Sequence, residues 1–182
     1  MRCNYLQLSP LIQRVANVPG AFAEIGVFYG VSFVPMAVNH LHRTCYAVDS
    51  FEGMAEPGAH DGNRYRKGSL NSHGSDFLRG ASPNIKVHQG WVPEVLATIP
   101  AHEQFAFVHV DLDHYLPTLA AMRWAWQRLS PGGLLVTHDW FPDRNEMASL
   151  AIKEFVAENN ITVVESIARH AVIRFPEKNP SA

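Results

Sequence analysis

Apolar residues fall in short runs separated by longer segments in which they recur every three or four positions, and this alternation predicts strands joined by helices. The first run, "FAEI" (22–25), leads across two glycines into "VSFVPMAVNHL" (31–41), which reads as a helix burying most of its faces, with Pro35 tolerable only in the first turn. "CYAVD" (45–49) reads as the second strand and "IKVHQ" (85–89) as the third, with a short helix in "PEVLATI" (93–99) before the fourth strand, "FAFVHVD" (105–111). In "YLPTLAAMRWAWQRL" (115–129), Leu119, Met122, Trp126 and Leu129 sit at helical spacing, and "SPGG" (130–133) stops the helix. "LLVTHDW" (134–140) reads as a fifth strand and "MASLAIKEFVAENN" (147–160) as an amphipathic helix; "ITVVES" (161–166) and "HAVIRFP" (170–176) read as two closing strands. From Glu52 to Pro83 the pattern gives way to a polar stretch with at most one short helix near "SDFLRG". A loop of that length inside a compact domain is usually functional.

Seven strands, the first five each followed by a helix or crossover, imply an α/β, Rossmann-like, open and mostly parallel seven-stranded sheet with helices on both faces. In such sheets ligands lie beyond the carboxyl ends of the strands, near the point where strand order reverses. One rim then collects Gly26 to Gly30, Asp49 to Gly53, Asp111 to Asp113, and His138 with Asp139.

The turn in "AEIGVFYGVSF" (23–33) narrows the ligand class. A dinucleotide site would write Gly-x-Gly-x-x-Gly there. Here Val27, Phe28 and Tyr29 stand between Gly26 and Gly30, crowding a phosphate, and Glu24 lies two residues ahead. Asp49 ends the second strand, where a carboxylate either accepts ribose hydroxyls or caps an ordinary turn. A nucleoside ligand without a phosphate fits the pattern, and one with an amino-acid cation can use Glu24.

Composition adds bounds. With 182 residues, 47% hydrophobic and 18% charged, the chain reads as one globular domain over 1–182. A net charge of −2 offers no basic field for a polyphosphate backbone, which argues against nucleic acid. Cys3 and Cys45 are far apart and form no metal or redox motif, in keeping with a reducing compartment. The longest uncharged run, Ile25 to His42, is broken by Gly26, Gly30 and Pro35 and falls short of the roughly 20 apolar residues of a membrane span. "MRCNYLQLSP" has no signal-like apolar stretch, so a cytoplasmic location is expected.

The acid-x-Gly-x-x-x-Gly turn with its strand-end aspartate resembles the class I S-adenosylmethionine-dependent methyltransferases. From Ala23 to about Pro176, "VDSFEGM", "RKGSL", "QGWVPEVL", "VHVDLDHYLPT", "LSPGGLLVTHDW" and "AIKEFVAENNI" resemble, in order, the blocks of the macrocin-type sugar O-methyltransferases of antibiotic biosynthesis. The resemblance implies S-adenosylmethionine over the first turn and the second strand end, bound by Glu24, Gly26, Gly30, Ser32, Asp49, Ser50 and Phe51, with Gly90 and Trp91 near the adenine. It also implies a divalent metal, Mg or Mn, at the fourth and fifth strand ends, held by Asp111, His138 and Asp139. The same three residues are then the catalytic group. Two departures from the family stand out: His138-Asp139 replaces an Asp-Asp pair, and only about twenty residues precede the first strand, where the family has a longer region covering the substrate. A homo-oligomer or closure of the 52–83 loop is expected to supply that wall.

The chemistry accounts for these residue types. Methyl transfer is an in-line attack on a sulfonium-bound methyl, so two partners must be aligned and the nucleophile prepared. A sugar hydroxyl is a weaker acid than a phenol, whose pKa is about 10, and needs a base or a metal. Asp111 and Asp113 lie two apart at a strand end and can face one side; alternatively Asp113 caps the helix that begins near Tyr115. His138 admits three roles, as ligand, as base with an ordinary pKa of about 6.5, or as bystander. Other activities open at this point are a metal-dependent catechol-type methyltransferase and an inactive cofactor-binding homologue; a nicotinamide-dependent dehydrogenase lacks its glycine turn.

Overall fold

The computed structural model describes residues 5–72 and 74–177. Seven strands, β1 (Ala21–Ile25), β2 (Cys45–Asp49), β3 (Ile85–Gln89), β4 (Phe105–Val110), β5 (Leu129–Thr137), β6 (Glu165–Ile167) and β7 (His170–Arg174), form one sheet in the order β3-β2-β1-β4-β5-β7-β6. β1 to β5 run parallel, and β7 is antiparallel to both β5 and β6. The helices are α1 (Tyr5–Gln13), α2 (Phe33–Val38), α3 (Asp76–Arg79), α4 (Tyr115–Trp126) and α5 (Met147–Glu158), with a short 3₁₀ helix at Glu94–Thr98. None of them is long and apolar enough to cross a membrane.

The central strands are buried on both faces, as helices on either side require. Phe22, Ala47, Phe107, Leu134 and Val172 point to the layer of α1, α2 and α3, whereas Ala23, Val48, Val108, Leu135 and Ile173 point to that of α4 and α5. Phe22 and Phe107, both fully buried, meet edge-on at 5.9 Å on adjacent strands. Burying each such side chain contributes about 1.5–3 kcal/mol. Trp124 and Trp126 pack against the second layer, as core residues of α4.

Three elements differ from the sequence reading. α1 is a helix the pattern did not reveal; Leu8, Leu11 and Ile12 are its buried stripe, over a span with Pro10 inside it. β5 begins at Leu129 and takes in "SPGG", since a register shift opposite Phe105–Phe107 on β4 accommodates the glycines as a bulge. Of "ITVVES", only the last two residues enter β6, and Val163 is 69% exposed. Cys45 is a buried free thiol, and Cys3 lies outside the described residues.

Strand order reverses between β1 and β4, where Glu24 pairs with His109 and Ile25 with Val110. The carboxyl ends of these two strands meet closely. A Cβ on Gly26 would stand 2.0 Å from the carbonyl oxygen of Asp111, so Gly26, at φ 92°, is required by the neighbouring strand as much as by its own turn.

Candidate active site

Asp49 organises the rim at the end of β2. Its Oδ2 accepts the amides of Val27 (2.7 Å) and Phe28 (2.8 Å), and its Oδ1 accepts that of Phe51 (2.7 Å). One carboxylate thus ties the β1 turn to the β2 turn and supports the left-handed backbone of Phe28 (φ 52°) and Phe51 (φ 58°). The sequence suggested a ribose acceptor; three of the about four lone-pair sites of a carboxylate are already taken by backbone, leaving one toward the cavity that Asp49 lines. Ser50 lines the same cavity and shapes the turn, donating to the Gly53 carbonyl at 3.0 Å. Phe51 sits elsewhere: its side chain is 1% exposed, in the core against Phe77. Being apolar and inward, it supports the turn from beneath. Gly30 (φ 70°) likewise serves the turn, its amide bonding to the Val27 carbonyl.

Glu24 is 1% exposed in the middle of β1. Its Oε1 accepts the Ser32 hydroxyl at 2.5 Å and lies 3.4 Å from His109 Nδ1, while Oε2 has no hydrogen-bond partner among the described residues. An unsatisfied buried carboxylate oxygen is costly. The residue Glu24 lines a cavity with Gly26, Ser32 and Asp111, and a cationic ammonium is a group that would relieve the cost there.

Two cavities share the rim. The larger, about 520 Å³, runs from Gly26, Asp49 and Ser50 past Gly90, Trp91 and Pro93 to Leu112, Leu116 and Leu119. Its volume lies within the roughly 300–1,000 Å³ of small-molecule sites. Trp91 is 37% exposed, its ring available to a planar ligand. The 52–83 loop builds one wall through Gly53, Met54, Ala55, Glu56, Gly58, Asp61 and Leu70. The smaller cavity, about 260 Å³, is lined by Glu24, Ser32, Tyr65, Asp111, Asp113, His138, Asp139 and Arg169. Gly26, Phe28, Leu70, Asp111 and Asp113 belong to both, so the two open onto each other at the end of β4. The larger one, with its apolar walls, the Asp49 rim and the orphaned Glu24 oxygen beyond, fits a nucleoside joined to an amino acid.

At that junction Asp111, His138 and Asp139 converge, a ligand atom of each lying within 4.8 Å of the others. His138 Nδ1 donates to Asp111 Oδ1 at 3.1 Å and lies 3.3 Å from Asp139 Oδ2. Burial alone would lower the His138 imidazole, but its hydrogen bonds to Asp111 and Asp139 outweigh that and raise it to about 10. Asp139 is held well below the usual carboxylate range: burial opposes the charge, and His138, Asp113 and Arg169 more than offset it. Asp113 is pushed up to about 8 by burial, by its hydrogen bond with Asp139 and by the neighbouring negative charges. If an ion displaces the proton on His138, two carboxylates and one imidazole form a donor set suited to Mn²⁺ or a similar ion, so the three residue types fit a divalent metal.

Several contributors were not singled out in the sequence. Arg169 Nη2 lies 2.5 Å from Asp139 Oδ1, and the Tyr65 hydroxyl pKa is raised by burial and by the nearby Asp113 carboxylate. Asp61 caps α4 by accepting the Tyr115 amide at 2.6 Å, the role the sequence offered as an alternative for Asp113. Asp113 instead adopts φ 58° and turns into the cavities. These partners are far apart along the chain, so no local motif announces them.

Residues 23–140 match the protein family described as a methyltransferase domain. The 8-demethyl-8-(2,3-dimethoxy-alpha-L-rhamnosyl)-tetracenomycin-C 4'-O-methyltransferase of Streptomyces olivaceus is 31% identical over 145 residues, covering 70% of this chain and 55% of that protein. The mycinamicin III 3''-O-methyltransferase of Micromonospora griseorubida is 28% identical over 144 residues, covering 68% and 56%. The chain therefore spans about half the length of the curated relatives it matches. Among solved structures, the O-methyltransferase NovP superposes with a TM-score of 0.78 at 22% identity, over 93% of this chain and 79% of that one. The calicheamicin methyltransferase CalS11 gives 0.79 at 20%, over 94% and 78%. Both share the fold described above.

Proposed function

Because this chain belongs to the methyltransferase-domain family, we propose that it moves the methyl group of S-adenosylmethionine to an oxygen, a hydroxyl of a sugar or glycosylated small molecule. The observation that carries this reading is Glu24, which lines a cavity beside Asp111 and whose buried Oε2 has no hydrogen-bond partner among the described residues. That oxygen would take the ammonium of the cofactor's amino-acid end, with the ribose at Asp49 and the adenine along Gly90 and Trp91. The names of the two curated relatives, each an O-methyltransferase of a glycosylated natural product, support the acceptor class.

The part of the second cavity bounded by Tyr65, His138 and Asp139 then holds the acceptor, with the cofactor's amino-acid end on the Glu24 side and the methyl group at the Asp111 junction. Asp111, His138 and Asp139 would hold a divalent ion, which when bound lowers the pKa of chelated hydroxyls. Asp111 and Asp139 orient the acceptor side of the cavity and offset positive charge there. Tyr65 and the 52–83 loop exclude water from the junction. A single domain that works as a homo-oligomer on a small-molecule acceptor completes the reading, with Tyr29 and Val31, 47% and 54% exposed at the cavity mouth, under the second copy.

A second reading is favoured by the hydrogen bonding of His138. An imidazole that donates to Asp111 and is held protonated is a poor base at neutral pH, but it supplies a fixed cation between two carboxylates without a metal. An acceptor screen with labelled S-adenosylmethionine, run with and without Mg²⁺ or Mn²⁺, tests both readings. Methylation of glycosides that needs the ion supports the first, and methylation unchanged by chelators supports the second. Transfer confined to simple diphenols would replace the sugar acceptor with a catechol.

A further inference from the structure

The turn that joins β6 to β7 consists of Ala168 and Arg169, and both residues hold left-handed backbone, φ 47° and 68°. Two-residue hairpin turns of this kind favour Asn and Gly, because a Cβ resists positive φ. Here an arginine stands where glycine would suit the backbone better. Its side chain reaches the rim: Nη2 lies 2.5 Å from Asp139 Oδ1, and the guanidinium carbon lies 4.6 Å from the centre of the Phe141 ring. Asp139 is itself left-handed, φ 57°, and its other oxygen, Oδ2, lies 3.3 Å from His138 Nδ1. The turn has a separate anchor through its backbone, since the Trp140 amide donates to the Arg169 carbonyl at 2.9 Å. Holding the turn in place therefore does not require the guanidinium. Residues in sparsely populated backbone regions persist where surrounding contacts over-determine them, and such positions cluster at functional sites.

We propose that Arg169 is a positioning residue for the Asp111–His138–Asp139 cluster. Its guanidinium takes Oδ1 of Asp139 and so turns Oδ2 toward His138. The functional part of this assignment rests on the proposed role of the cluster in preparing the acceptor. With Arg169 present, Asp139 offers one oxygen in one orientation to whatever shares the cluster. Without it, Asp113 and His138 alone hold the carboxylate, which is then freer to rotate and present either oxygen to His138. A lysine would keep the charge but lose the planar fork that pairs with a carboxylate and stacks on an aromatic ring.

The test uses the full chain as Arg169→Gly and Arg169→Lys. Three quantities are measured: the Tm, the affinity for S-adenosylhomocysteine by calorimetry, and the imidazole N–H resonance of His138, identified by its loss in His138→Asn. Glycine removes the Cβ from a left-handed position. Arg169→Gly is therefore expected to keep or raise the Tm and to hold cofactor-product affinity within about twofold, while the His138 resonance shifts or broadens. Arg169→Lys should give a His138 signal between those of the wild type and the glycine variant. An unchanged His138 resonance in Arg169→Gly overturns the proposal. A Tm that falls by several degrees along with the signal also overturns it, because Arg169 would then be a structural staple. Failure of the wild type to bind S-adenosylhomocysteine would instead overturn the proposed function, and the His138 resonance would still decide the positioning of Asp139.

Discussion

Asp61, in the middle of the long polar loop, accepts the Tyr115 amide on Oδ1 at 2.6 Å and the Gly58 amide on Oδ2 at 2.7 Å. One buried carboxylate therefore caps α4 and straps the loop across the end of β4, where the loop becomes a cavity wall. Loss of a helix cap costs about 0.5–2 kcal/mol. Asp61→Ala is expected to lower stability by about 1–2 kcal/mol in urea unfolding and to speed proteolysis between residues 52 and 72. Resistance equal to that of the wild type would show that the strap is held elsewhere.

Gly26 faces a harder constraint than a turn usually imposes. With the Asp111 carbonyl oxygen 2.0 Å from any added Cβ, Gly26→Ala must push apart β1 and β4 at the point where both cavities meet. The expected cost is about 3 kcal/mol, the upper part of the range for overpacking. Gly80→Ala, with open space around the added carbon, serves as control and should unfold like the wild type.

Asp49→Ala removes the acceptor for three backbone amides together with the remaining site toward the cavity. Cofactor-product binding should weaken by roughly 1–3 kcal/mol, the usual effect of losing a hydrogen bond to a charged group. Stability should fall as well, because the Val27 and Phe28 amides lose their partner. Calorimetry and thermal unfolding of one sample separate the two effects. Unchanged affinity alongside reduced stability would make Asp49 a turn residue only.

The overall sheet was legible because the period of apolar positions changes cleanly between strand and helix, and the rim followed from which residues end each parallel strand. Asp49 stood out for the same reason, and Glu24 as the acid two residues ahead of Gly26. Their partners did not. Whether Asp49 faces backbone or ligand depends on the path of the β1 turn, and Phe51 turned inward because its left-handed backbone aims the ring at Phe77. Asp61 and Arg169 contribute through contacts with residues more than twenty-five positions away, where spacing along the chain carries no signal. α1 escaped notice because its stripe is only three buried residues long.

His138 links the cluster to stability. Its folded pKa, raised to about 10, exceeds the ordinary value of about 6.5, so the protonated imidazole stabilises the fold. That contribution is complete below about pH 6.5 and is lost as pH rises through about 10. In chelator, the Tm difference between the wild type and His138→Gln should be largest near pH 6 and shrink steadily toward pH 10. A difference that stays constant or grows over that window would contradict the hydrogen-bonded, protonated state.

Calorimetric titration of S-adenosylhomocysteine into the wild type and Glu24→Gln, with NAD as the control ligand, tests cofactor recognition most directly. The wild type should bind S-adenosylhomocysteine and ignore NAD. Glu24→Gln should bind roughly tenfold more weakly, a loss of about 1.4 kcal/mol, because a neutral amide would replace the buried carboxylate proposed to meet the ligand's ammonium. Absence of S-adenosylhomocysteine binding by the folded wild type, or equal affinity in Glu24→Gln, would contradict the assignment of this rim.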